Sequence, residues 1–376
     1  MVRSQGSYFR KYERGRTYHT FVPAPLQNIN NLDIDNQLMS LLVKAHSLLG
    51  KLNGMFSSIS EMNILKFSLA QYEAVCSVEI EKRERLHNER YGAEPYTISY
   101  EKIVALYANL LLQSEMLFSD KMSSLDIIKR CHSLILNDNC GESERFRTTQ
   151  LFTYPKAATI GGHPYCNPPN PNEVMIALTD LEKYLTSNDT CEFDAIIKIG
   201  LVYYQLSTIC PFLLGNGLVD RAFINLLLVC NKILPYPLLC LSDYLLDGDI
   251  LFQDILGLVR ESFKGYETWL KFFLKMLIAS ADKAIKLLDN ISQLRQSDLE
   301  KLRSYEKCSS LLLALYDHLW KSPVVEARSL VSLLGVSYNT AAKAVKDLCY
   351  LGILEQLDFK ERYRRFGYEK LNNIIS

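Results

Sequence analysis

Residues 208–221 read TICPFLLGNGLVDR, and this stretch decides how the rest of the chain is read. A Gly-Asn-Gly turn, Gly215 to Gly217, separates two apolar runs of helical periodicity, DAIIKIGLVYYQLSTI before it and VDRAFINLLLVCNKI after it. Glycines at 215 and 217 permit backbone angles that other residues avoid. The helix that starts there offers free N–H groups and a dipole suited to an anion. By themselves the glycines mark no more than an interhelical turn. The side chains around them raise a sharper question: where phosphate chemistry asks for polar groups stand Cys210, Leu214 and Leu218, and Arg221 is the one cation of the stretch.

Outward from this turn the helical pattern continues in both directions. LMSLLVKAHSLL, MNILKFSLAQYEAVCSVEIE, YEKIVALYANLLLQ and DIIKRCHSLIL precede it; YLLDGDILFQDILGLVRESF and a long run from Gly265 to about Ser304 follow it. No repeat of fixed period is evident, and the body is predicted to be mainly α. Three stretches interrupt the pattern. FVPAPL, residues 21–26, carries two prolines that exclude helix and predicts an extended arm after a polar, basic start. KRERLHNERYGAEPYT, residues 82–97, predicts a solvated connection or a frayed helix end. RTTQLFTYPKAATIGGHPYCNPPNP, residues 147–171, predicts a short hairpin and then a proline-rich loop.

After Ser322-Pro323 the chain changes character. A short helix, a turn at Gly335-Val336-Ser337, a second helix closed by Gly352 and a β-prone tail predict a winged helix-turn-helix. Lys343 and Lys346 on the second helix, with Lys360, Arg362, Arg364 and Arg365 in the wing, form a local basic face. The face suits DNA, and it equally suits a solvated or protein-docking surface.

Composition restricts the partners. Among 376 residues Lys+Arg (42) balances Asp+Glu (42), so the chain is no general polyanion binder and any nucleic-acid contact must be local. No apolar run approaches the ~18–20 residues of a membrane span, and the start, MVRSQGSYFRKYERGR, lacks a signal-peptide core. The expectation is a cytoplasmic protein with no membrane partner. Its ten cysteines, without C-x-x-C pairs, are expected to be buried thiols.

CPFLLGNGLVDR resembles the signature of Fic-domain proteins, in which His-x-Phe-x-Asp/Glu-Gly-Asn-Gly-Arg-x-x-Arg transfers AMP from ATP to a protein hydroxyl. FVPAPL, RFRTTQLF through NPPNP, LLCLSDYL, GYETWLKFFL and the tail resemble other parts of the family, so the likeness spans most of residues 20–370. It implies an N-terminal arm and inhibitory-helix region (1–100), a Fic core (101–290) whose hairpin is a target-docking flap, a helical linker (291–322) and a winged helix-turn-helix (323–376).

The resemblance also implies what has changed. The motif histidine, the general base, is replaced by Cys210, a thiol that is mostly protonated at neutral pH. The acid that orders Mg²⁺ is replaced by Leu214, and a hydrocarbon cannot ligate a hard cation. The first motif arginine is replaced by Leu218, which removes a phosphate clamp. Pro211, Phe212, Gly215, Asn216, Gly217 and Arg221 match the family, and the last four are the expected nucleotide or anion site. Ser77-Val78-Glu79-Ile80-Glu81-Lys82 resembles the inhibitory motif, with Ser77 and Glu81 in place and Lys82 where a glycine is usual. That implies pairing of Glu81 with Arg221.

Replacement chemistry was weighed at three residues. Cys210 as a nucleophile needs a thiolate, His163 beside Cys166 would have to reach the pocket as a surrogate base, and Asp220 at a helix start more simply complements the dipole. The expectation is therefore a degenerate Fic-family protein: no metal, weak ATP binding at most, and a binding or regulatory role. Its partners would be a protein target at the flap, DNA at the tail through Lys343, Lys346, Arg362 and Arg364, or a second copy of the chain. The rivals are a Fic transferase with altered chemistry and a winged-helix DNA-binding regulator.

Overall fold

The computed structural model describes residues 5–13, 16–29, 31–56, 62–89, 98–114, 117, 122–136, 145–152, 159–160, 163–164, 167–187, 193–237, 239–247, 252–358 and 364–375. It is mainly helical. The chain falls into two compact units, one of residues 1–53 and 70–282, the other of residues 54–69 and 283–376.

The first unit begins with a β-hairpin. Strands β1 (Gly6–Glu13) and β2 (Arg16–Pro23) pair antiparallel from Gly6 opposite Pro23 to Glu13 opposite Arg16. The prolines then end the strand, and Leu26–Asn28 forms one turn of 3-10 helix with Leu26 buried. The polar start is thus an ordered ladder, where the sequence reading placed an extended arm from Phe21 onward. Its alternation around Arg14-Gly15 is the signal that charge concealed.

Helices α1 (Asn36–Phe56), α2 (Met62–Glu89), α3 (Tyr100–Leu112) and α4 (Ser124–Leu136) follow. The α2 helix runs through Glu89, so much of the charged run expected as a connection is helix. Glu79 supports it through Lys82 at 3.9 Å and Arg83 at 3.5 Å, each a weak exposed pair. Strands β3 (Thr159–Ile160) and β4 (His163–Pro164) pair antiparallel, giving the expected short hairpin. Asn170 then caps α5 (Pro171–Thr186) with a capping box closed by Glu173.

The centre of this unit is α6 (Ala195–Ile209) and α7 (Asn216–Cys230), which pack on each other across the Gly-Asn-Gly turn. The α5 helix and strand β2 lie on α6, and α3 and α4 lie on α7. Both central helices are apolar nearly all round, which is why their moments of polarity vanish into a buried core. Short α8 (Leu241–Leu246), α9 (Phe252–Glu261) and α10 (Gly265–Ser304) follow; Asp247 ends α8, so the single run read from Tyr244 to Phe263 is two helices. Gly200 lets α10 approach α6: a Cβ there would meet the Phe273 ring at 2.7 Å, and Trp269 Nε1 donates to the Gly200 carbonyl at 2.7 Å. Tyr203, Tyr204, Phe252 and Trp269 complete an aromatic cluster at this crossing.

In the second unit α11 (Ser310–Leu319) packs on α12 (Ala327–Leu334) and α13 (Tyr338–Tyr350). Gly335 takes a left-handed φ of 64° to end α12, and Ser337 caps α13 by accepting from Thr340 N. Strands β5 (Val324–Glu326), β6 (Glu355–Gln356) and β7 (Arg365–Gly367) form an antiparallel sheet in the order β5-β7-β6. Helix α14 (Glu369–Ile375) follows, and Tyr368 donates to the buried Asp298.

Candidate functional site

The α6–α7 turn is built by two left-handed residues. Cys210 closes α6 at φ 46°, a costly angle for a residue with a side chain, and Gly215 opens α7 at φ 72°. Between them Asn216 folds its amide back on Phe212, accepting from the Phe212 N–H at 2.8 Å and donating to its carbonyl at 2.7 Å. This reciprocal pair fixes the loop without any ligand. Gly217 has a separate reason: a Cβ there would lie 2.9 Å from Arg221 Nη1, so the glycine makes room for a guanidinium that folds back over the first turn of its own helix.

Arg221 is 1% exposed. Its Nε donates to Ser77 Oγ at 2.8 Å and its Nη2 to the Ser77 carbonyl at 3.1 Å, which ties α7 to α2. Burial opposes its charge, yet Tyr203, Tyr107, Glu73 and Glu81 outweigh that and raise its pKa. Glu73, also buried, accepts from Ser242 N and Oγ at 3.0 and 2.7 Å and from the Tyr107 hydroxyl at 3.3 Å. Asp220, one residue before Arg221, accepts from Ser207 Oγ at 2.6 Å, and burial pushes its carboxyl up to about 7.

Residues 122–228, which hold this turn and the helices on either side of it, match the Fic/DOC family model. They are a Fic/DOC domain. The chain is 28% identical over 116 residues to the protein adenylyltransferase fic-1 of Caenorhabditis elegans, a match covering 31% of this chain and 21% of that protein. It is 31% identical over 88 residues to the protein adenylyltransferase Fic of Drosophila grimshawi, covering 23% and 16%. The match thus spans about a fifth or less of those relatives. Among solved structures, a Fic family protein of Desulfovibrio desulfuricans aligns over 89% of this chain and 96% of its own, at 14% identity and a TM-score of 0.49. Fic-1 of C. elegans aligns over 66% and 71%, at 19% identity and a TM-score of 0.47.

Within the Fic/DOC domain the three substituted positions are apolar or inert. Cys210 is buried, its Sγ donates to the Ser207 carbonyl at 3.0 Å, and burial, reinforced by Asp220, pushes its thiol up to about 12. It is neither a base nor a thiolate near neutral pH. Leu218 is fully buried among core side chains. Leu214 is half-buried and offers only its carbonyl, which already accepts from His132 Nε2 at 3.0 Å, so the position does not fit a metal ligand. Among the described residues no group of three His, Cys, Asp or Glu side chains suits a metal ion.

Two residues that hold this site escaped the sequence reading. Arg147, 5% exposed, donates only to backbone carbonyls: Cys210 at 2.8 Å, Thr149 at 3.2 Å, Ile209 at 3.4 Å and Pro169. It thereby cancels the negative end of α6 and clips the segment before the hairpin to the motif. His132 on α4 stacks on Phe212 with ring centroids 3.8 Å apart, and because a carbonyl only accepts, its Nε2 carries the proton given to Leu214. Neither role has a local signature, since their partners lie 63 and 82 residues away. His163 lies in β4, but its side chain and Cys166 fall outside the described residues.

In the second unit, Glu326, Arg328, Tyr338, Asn339, Lys346, Gln356 and Arg364 are among the residues lining a groove of 1190 Å³ bounded by α12, α13 and β7. Lys343 is exposed three residues before Lys346 on α13. Arg365 is exposed and pairs with Asp358 at 3.8 Å. Lys360 and Arg362 lie outside the described residues. No described helix is long and apolar enough to cross a membrane.

Proposed function

We propose that this protein is a Fic-family pseudoenzyme that does not transfer AMP and acts as a binding or regulatory protein on the Fic scaffold. The observation that carries the reading is the state of Arg221. The one motif cation sits over Gly217, nearly inaccessible, with two of its donors committed to Ser77. A phosphate could engage it only by displacing α2. The position expected to hold the base has a thiol near 12, and the positions expected to hold the metal ligand and first arginine have leucines. The named adenylyltransferase relatives therefore supply the ancestry and not the activity.

Calorimetry of ATP against the full chain, with and without Mg²⁺, tests this. Weak binding indifferent to Mg²⁺ is expected, and a tight isotherm that needs Mg²⁺ contradicts it.

A second role is supported by the groove of the C-terminal unit. Read as a winged helix, α12 and α13 with the β6–β7 wing place Lys346 and Arg364 on one concave face, the arrangement suited to a nucleic-acid backbone. The balanced charge of the chain makes such binding local, with DNA the partner tested by salt-dependent titration.

A further inference from the structure

Away from the motif, a second buried cation lies beneath the N-terminal hairpin. Arg260, in the last turn of α9, is 7% exposed, and its guanidinium lies over the Phe21 ring at 4.9 Å. Among the described residues no carboxylate forms an ion pair with it, and its Nε has no hydrogen-bond partner. Tyr204 and Thr208, four apart and so on one face of α6, are both fully buried, and neither hydroxyl has a partner. The Tyr266 hydroxyl is a third: its ring meets that of Tyr204 edge-on, centroids 5.5 Å apart, and its oxygen too is unpartnered. Burial raises the Tyr204 phenol, and the neighbours that pull it back down include Arg260 and Thr208, which identifies the groups around it.

A guanidinium cannot shed its proton, so burying it requires a counter-charge or several dipoles. Each of the four unpartnered groups can donate a hydrogen bond, and a cation would be repelled by Arg260. A tetrahedral oxyanion accepts from several donors at once and supplies the missing charge. We propose that Arg260, Tyr204, Thr208 and Tyr266 bind a small oxyanion of the size and charge of inorganic phosphate. The site is separate from the Gly215–Gly217 turn, and Phe21 of the hairpin covers it, so occupancy would bind the hairpin more firmly to α6 and α9.

The test is thermal unfolding of the full chain in phosphate, sulfate, AMP or chloride at matched ionic strength. Phosphate and sulfate should raise Tm by about 2–4 °C over chloride, AMP should not, and the gain should vanish in Arg260→Gln. Tyr204→Phe, which deletes one oxygen from a ring that stays packed, should cut the phosphate response by half or more even if Arg260→Gln folds poorly. An unchanged response in both variants would place the anion elsewhere. No response in the parent would mean that water fills the site. A response to AMP that Arg260→Gln abolishes would replace the free oxyanion by a phosphomonoester. Each of these three outcomes overturns the proposal.

Discussion

Arg221 donates its Nε–H to Ser77 Oγ at 2.8 Å and an Nη2–H to the Ser77 carbonyl at 3.1 Å, so a single serine on α2 holds the one cation of the Gly-Asn-Gly motif. The inhibitory-motif likeness points to Glu81 as its partner. Here Ser77 makes the hydrogen bonds, and Glu81 acts through its charge on both Arg221 and Asp220.

Ser77→Ala should therefore destabilise the fold by about 1–3 kcal/mol, because it leaves a buried charged donor unpartnered. Urea unfolding at constant slope is the measurement. A change below about 0.5 kcal/mol would mean that the bond is dispensable.

Asp220 ties stability to pH. Its carboxyl is pushed up to about 7 by burial, against the lowering effect of Ser207 and Arg221. Between about pH 4 and 7 the folded chain keeps a proton that the unfolded chain has released, so stability from this group falls as pH rises through that window. Asp220→Asn cannot ionise. It should match the parent near pH 4 and exceed it by on the order of 1–3 kcal/mol at pH 8. An equal difference at both pH values contradicts the shift.

Cys210 should be nearly unreactive. With its thiol near 12, only about one molecule in 10⁴ carries a thiolate at pH 8. Iodoacetamide should label Cys210 in the native chain at least ~100-fold more slowly than in urea, read by mass spectrometry of the Cys210 peptide. Native labelling as fast as in urea would revive Cys210 as a nucleophile.

How much of this was legible beforehand follows from the range of each contact. Helices α6 and α7 and their turn are written in local periodicity and two glycines, and Gly335, Ser337 and Gly352 mark the C-terminal helices equally well. The N-terminal hairpin was missed because its alternating residues are largely polar and charged. Arg147 and His132 were missed for a different reason: their partners are backbone carbonyls, which leave no trace in the sequence of the residues that supply them. The burial of Asp220, and with it the raised carboxyl, likewise depends on packing of α6 against α7, so a dipole-complementing surface role was the natural sequence reading.

In the C-terminal unit, changing Lys346 and Arg364 together to Gln should lower the salt dependence of DNA binding by about two units on a log–log plot. Unchanged affinity and slope would make the groove's charges a solvated surface.

The central claim, that this Fic/DOC domain does not transfer AMP, is tested most directly by incubating the full chain with ATP labelled on its α-phosphate, Mg²⁺ and a protein extract. The account predicts no label on the chain or on any other protein above that of a heat-denatured control. Incorporation that appears with the parent and disappears with Cys210→Ala would contradict it and assign this motif a working chemistry.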